Sequence, residues 1–117
     1  MIKYKIKTAF FVFTAILVLY GASFAGSFTI WDSSATVSWS PNTEPDLYGY
    51  KVYIGKESRN YTDYVFVERT RTSHRFDNLM QGQIYYFCVT SVNNSGVESA
   101  YSEEVSKRML MIARSAN

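Results

Sequence analysis

The chain has 117 residues, room for one domain. Its net charge of +2 is carried by the N-terminus, because Lys3, Lys5 and Lys7 are three of twelve basic residues and all ten acidic residues lie downstream. Beyond residue 25, nine basic residues face ten acidic ones, too even a balance to offer nucleic acid an electrostatic footprint.

The basic start is followed by an apolar run over residues 8–22 and then by Ser23-Phe24-Ala25, with small residues where an export peptidase reads. That order is a secretory signal peptide, cut between Ala25 and Gly26. The competing reading is an uncleaved anchor, since no charge occurs between Lys7 and Asp32 and the stretch is long enough to span a bilayer. Either way the remainder works outside the cytoplasm: secreted, periplasmic or at the cell surface, touching the membrane only if the N-terminal segment is retained. Cys88 is the only cysteine, so no intramolecular disulfide can staple the domain. Stability rests on the core, in a sequence with ten Tyr, eight Phe and two Trp.

From residue 28 onward, short strand-like runs alternate with turn signals. Phe28–Trp31 is the first, and Ala35–Trp39 alternates with Ala35, Val37 and Trp39 on one face. Pro41 and Pro45 make residues 40–46 a loop. Strands follow at 48–54, 64–69 and 73–77, and Gly82 turns the chain into its strongest run at 85–92. The cluster Asn93-Asn94-Ser95-Gly96 leads to a last strand at 101–105. About seven strands joined by short loops, with no convincing helical periodicity, predict an all-β, immunoglobulin-like antiparallel β-sandwich. The chain divides into residues 1–25, a domain at 26–106 and a tail at 107–117. In the tail, Met109-Leu110-Met111-Ile112 is apolar between basic residues. It extends the last strand, docks back on the domain or meets a partner, and the pattern does not choose among these.

Four pieces stand in order at consistent spacing: Trp39 with Ser40-Pro41-Asn42-Thr43-Glu44-Pro45-Asp46-Leu47, the run Gly49-Tyr50-Lys51-Val52-Tyr53-Ile54-Gly55, residues 79–89 and residues 95–105. Together they resemble a fibronectin type III domain of the kind common in exported bacterial proteins. Leu79 and Tyr85, either side of Gly82, match that family's tyrosine corner, where a hydroxyl reaches back to loop backbone. Gln81 stands where the family often has Pro. The resemblance implies no enzyme but a binding or adhesion module for a protein or polysaccharide in the envelope or outside the cell, the same fold otherwise serving as a spacer beside catalytic domains. The alternative is a structural subunit that self-assembles through its sheet edges and apolar tail, which keeps a homo-oligomer open.

Alternation assigns the faces. Tyr50, Val52, Ile54, Val65, Val67, Tyr85, Phe87, Val89 and Ser91 point inward, with Trp39 and Leu79 completing the core. Lys51, Tyr53, Tyr64, Phe66, Tyr86, Cys88 and Thr90 point outward. Of these, Tyr53, Phe66 and Tyr86 lie on three neighbouring strands and form the candidate binding surface, against the simpler reading of aromatic pairs that stabilise a sheet.

Other chemistry-bearing residues read as surface groups. His74 and Asp77 are three apart in a strand, on opposite faces, so they make no catalytic pair. Glu44, Asp46 and Glu98 are solvated loop charges rather than a calcium site, and no metal or cofactor is expected. Arg69, Arg71 and Arg75 make a solvated stretch or a weak anion contact. Cys88 is a small sheet residue shielded by its neighbours, or a thiol that pairs with another molecule.

Overall fold

The computed structural model describes the backbone of residues 9–12 and 28–114 and the side chains of residues 32–110. Nine strands occur among them and no helix: β1 Ala9–Val12, β2 Phe28–Trp31, β3 Ala35–Trp39, β4 Leu47–Gly55, β5 Asp63–Glu68, β6 Ser73–Phe76, β7 Ile84–Asn93, β8 Val105–Arg108 and β9 Met111–Arg114. They form a β-sandwich from a three-stranded sheet (β1-β3-β6) and a four-stranded sheet (β5-β4-β7-β8), with β2 and β9 as a separate pair. All pairs are antiparallel. For the consecutive pairs β4–β5 and β7–β8 the connections are too short for a parallel crossover.

Inward faces follow the alternation of the sequence. Ala35, Val37 and Trp39 of β3, Tyr50 and Val52 of β4, Val67 of β5 and Tyr85, Phe87 and Val89 of β7 are buried in one cluster, with Ile54, Val65 and Leu79 packed against it. Trp39 and Tyr50 meet with ring centroids 5.2 Å apart, and the Tyr50 hydroxyl accepts the Asn42 N–H at 3.0 Å. The tyrosine corner is formed: Tyr85 Oη accepts the Met80 N–H at 2.9 Å, while Gly82 turns with φ of 75°.

Two features depart from the sequence reading, and a third takes up an alternative that it left open. The last strand of the four-stranded sheet begins at Val105 instead of occupying 101–105. In residues 97–102 two serine hydroxyls take over part of the ladder. Ser99 Oγ and Ser102 Oγ accept the N–H groups of Ser91 and Val89, and the Ser99 and Ser102 N–H groups bond back to the same two residues. A side-chain oxygen in place of a carbonyl breaks the strand geometry while leaving the β7 edge satisfied.

His74 is the second. It pairs with Val37, which sets it on the inward side of β6, half-buried and edge-on to Phe76 at 4.7 Å. It is therefore a core-margin histidine, not a surface one. Burial and then the charge of Arg71 hold its pKa below the ordinary value.

The third is the region after residue 106. Met109 is fully buried in the core, its N–H and C=O bonded to Gln83 and Gly82, and β9 pairs with β2. Lys107 reaches Asp32 at 3.1 Å and the Ser34 carbonyl at 3.0 Å, joining the two ends of the domain through a largely buried ion pair. At the other end of the chain, Ala9–Val12 lies antiparallel to β3, in register with Thr36 to Trp39. The rest of the segment read as an export signal lies outside the described residues.

Candidate functional site

The outer face of the four-stranded sheet carries most of the exposed aromatic surface. Strand pairing lays it out in rows: Tyr64, Tyr53 and Cys88 in one, Phe66, Lys51 and Thr90 in the next. Two different environments result.

The first is a strap of tyrosines. Tyr53 stands 5.4 Å from Tyr64, 6.0 Å from Tyr61 and 5.1 Å from Tyr101, and Tyr101 closes edge-on against Tyr61 at 5.3 Å. Two carboxylates tie this cluster down. Glu98 accepts hydrogen bonds from the Tyr53 hydroxyl, from Thr90 Oγ1 at 2.7 Å and from Lys51 Nζ at 3.3 Å. Glu104 accepts the Ser58 hydroxyl at 2.6 Å, the Arg59 N–H at 2.7 Å and the Tyr61 hydroxyl at 2.5 Å. Burial alone would raise both carboxyl pKa values, but these donors outweigh it and hold them below the ordinary range. The same contacts, added to burial, push the Tyr53 and Tyr61 phenols well above theirs. Lys51 Nζ also lies 4.7 Å from the Tyr64 ring centre, in cation–π reach.

Cys88 lies beneath this strap. It is on the outward side of β7, as alternation requires, yet it is fully buried, because the Tyr61 loop and residues 97–104 roof that side. Burial pushes its thiol up to about 12, against the opposing influence of the neighbouring Tyr61 hydroxyl. The pairing of this thiol with another molecule, left open above, is blocked in the folded chain.

The second environment is a ledge and cleft where β4 enters the sheet. Between Leu47 and Gly49 the register to β7 shifts, since two steps along β4 face one step from Asn93 to Val92. The extra residue, Tyr48, is turned out of the sheet by this bulge. Its ring meets Phe66 at 5.3 Å, and the Phe66 ring rests on the bare backbone of Gly49. The two rings are 57% and 43% exposed. Beside them opens a cleft of about 610 Å³ lined also by Leu47, Glu68, Arg69, Thr70 and Asn94.

The three residues singled out from the sequence are therefore divided. Tyr53 is the centre of the strap, Phe66 is half of the ledge, and Tyr86 stands opposite Gly55 and Ser106, apart from both. Lys51 separates the first two. Sequence reasoning missed Tyr48, taken there as the first residue of a regular strand, and the trace of the bulge was the glycine inside Tyr48-Gly49-Tyr50. Glu44 and Asp46 do not converge with Glu98, and among the described residues no group of three or more His, Cys, Asp or Glu side chains is placed to hold a metal ion.

The fibronectin type III domain model matches residues 25–108. Among solved structures, a β-1,2-glucanase from Parabacteroides distasonis superposes with a TM-score of 0.62 at 22% identity, over 68% of this chain. The FN1–FN3 domains of chicken CNTN1 do so with 0.60 at 21% identity over 69%. This chain spans 11% and 28% of the length of those two. An Fn3-like protein from Clostridium thermocellum, 29% identical, matches 64% of this chain and 75% of its own with a TM-score of 0.53. A family model that covers most of the sequence, a formed tyrosine corner and a core laid out strand by strand agree: the chain belongs to the fibronectin type III domain family.

Proposed function

We propose that this chain is an exported, non-enzymatic binding module that presents the outer face of its four-stranded sheet to a protein or polysaccharide of the cell envelope or its surroundings. The observation that carries this reading is the set Tyr48, Phe66, Tyr64 and Tyr101, each exposed and all on one side of the domain. Aromatic side chains bring large contact area at little entropic cost, which is why they dominate recognition surfaces. The basic-then-apolar N-terminus supports export. Glu98 and Glu104 are each held ionised by three donors, which suits acceptors in a scaffold and not a proton-donating acid.

The test is retention on isolated envelope polysaccharide and on immobilised surface proteins of the producing cell. Replacing Tyr48, Phe66, Tyr64 and Tyr101 together with Ser abolishes retention on this reading; undiminished retention of the folded variant overturns it. Self-assembly through the tail is less supported, because Met109 is in the core and Leu110 is the one apolar tail side chain described as exposed. Light scattering across a concentration series separates the two, with a constant monomer mass expected.

A further inference from the structure

We infer that the cleft beside the Tyr48–Phe66 ledge is a binding site for a stretch of an uncharged polysaccharide. The inference rests on the binding reading above and chooses within it both the location and the ligand class. Two observations select this cleft over the tyrosine strap. Most polar groups of the strap are already committed: the Tyr53 and Tyr61 hydroxyls and both carboxylates bond to one another or to neighbouring donors, which leaves the Tyr64 and Tyr101 hydroxyls. At the ledge the reverse holds. Among the described residues, the Tyr48 hydroxyl, the Arg69 guanidinium and the Asn94 side-chain amide have no protein partner, and Glu68 bonds only the Thr70 hydroxyl, at 3.0 Å.

The chemistry of the walls fits a sugar chain. Tyr48 and Phe66 are inclined 38° to each other, so they offer two ring faces to the C–H faces of successive pyranoses. Arg69, Asn94 and Glu68 are flat groups that hydrogen-bond in pairs, matching vicinal hydroxyls. One carboxylate and one guanidinium leave the rim without net charge, which favours an uncharged chain over an acidic or basic one. The volume of about 610 Å³ lies inside the roughly 300–1,000 Å³ usual for small-ligand clefts. The bulge at Tyr48 and the missing side chain at Gly49 together build the ledge.

The experiment is affinity electrophoresis and amide-shift titration of the chain with soluble β-glucan, mannan and xylan, with polygalacturonate and heparin as charged comparators. At least one uncharged polysaccharide is expected to retard the protein and to shift amides of residues 47–49, 66–70 and 93–94. The double variant Tyr48→Ser, Phe66→Ser should bind it at least tenfold more weakly, and Arg69→Gln with Asn94→Ala should weaken it with the fold untouched. This second variant keeps the test decisive if the first melts early. Retardation by charged polysaccharides alone, or by none, overturns the inference. Binding that survives both cleft variants but is lost in Tyr64→Ser, Tyr101→Ser also overturns it, while leaving the outer face as a binding surface.

Discussion

The ring of Phe66 lies directly on the backbone of Gly49: a Cβ at that position would stand 2.3 Å from Phe66 Cζ and 2.6 Å from the Val67 carbonyl oxygen. A phenyl ring can swing aside, but a carbonyl inside a sheet cannot. Gly49→Ala is therefore expected to destabilise the domain by about 1–3 kcal/mol, the usual cost of overpacking. It should also drive Phe66 off its seat. Denaturant melts report the first effect, and loss of the ring-current shifts between Tyr48 and Phe66 reports the second. Wild-type melting with unchanged shifts would show that the seat is not tight.

Cys88 should be almost inert while the domain is folded. It is fully buried, and burial pushes its thiol up to about 12, so at pH 8 the reactive thiolate is scarce and shielded. Labelling by a thiol reagent is expected to be slow in native protein and fast in denaturant. Tyr61→Ala removes part of the roof and should speed native labelling at least tenfold. Equal rates in the two proteins would mean that the roof lies elsewhere than the Tyr61 ring.

The carboxylates beneath the tyrosines make stability depend on acid. Glu98 and Glu104 have folded-state pKa values below the ordinary 4.5, so ionisation favours the folded chain. Their contribution is complete above about pH 4.5 and is lost as pH falls through the folded values. Thermal melts from pH 6 to pH 3 should therefore show a declining midpoint. Glu98→Gln should flatten the decline and lower the midpoint at pH 6; an unchanged profile would place the acid sensitivity elsewhere.

Most of the scaffold was legible because strand alternation is a strict rule. Once Tyr85 was set inward, Phe87, Val89 and Ser91 followed, and all are buried. The corner was legible for the same reason, since a buried phenol must place its hydroxyl. Removing that hydroxyl with Tyr85→Phe leaves the Met80 N–H unpaired, at an expected cost of about 1–2 kcal/mol in a urea melt, within the usual range for a stranded donor.

What stayed hidden arises where alternation is interrupted. The bulge that turns out Tyr48 shifts the pattern by one residue, which no period-2 reading anticipates. The burial of Cys88 and Thr90 depends on residues 97–104 folding over β7, a contact made through serine hydroxyls and the two glutamates instead of a regular ladder. The inward turn of His74 was missed because a four-residue strand has too little pattern to set its face, whereas pairing with Val37 sets it at once. Met109 looked like one residue of an unassigned apolar run, and only the closed sandwich distinguishes it from exposed Leu110.

The strand at Ala9–Val12 covers one edge of the sandwich. Trp39 donates its N–H to Thr72, on the β6 side, so by alternation the amides of Thr36 and Ser38 face β1. Taking away residues 1–25 would bare those two amides and turn β3 from an interior strand into a rim. Hydrogen exchange should then quicken at Thr36 and Ser38 while Val37 and Trp39 stay protected; uniform protection would mean that another segment moves in. While it stays paired with β3, the Ala9–Val12 strand thus works as a bandage over a rim that would otherwise be open to pairing with other chains.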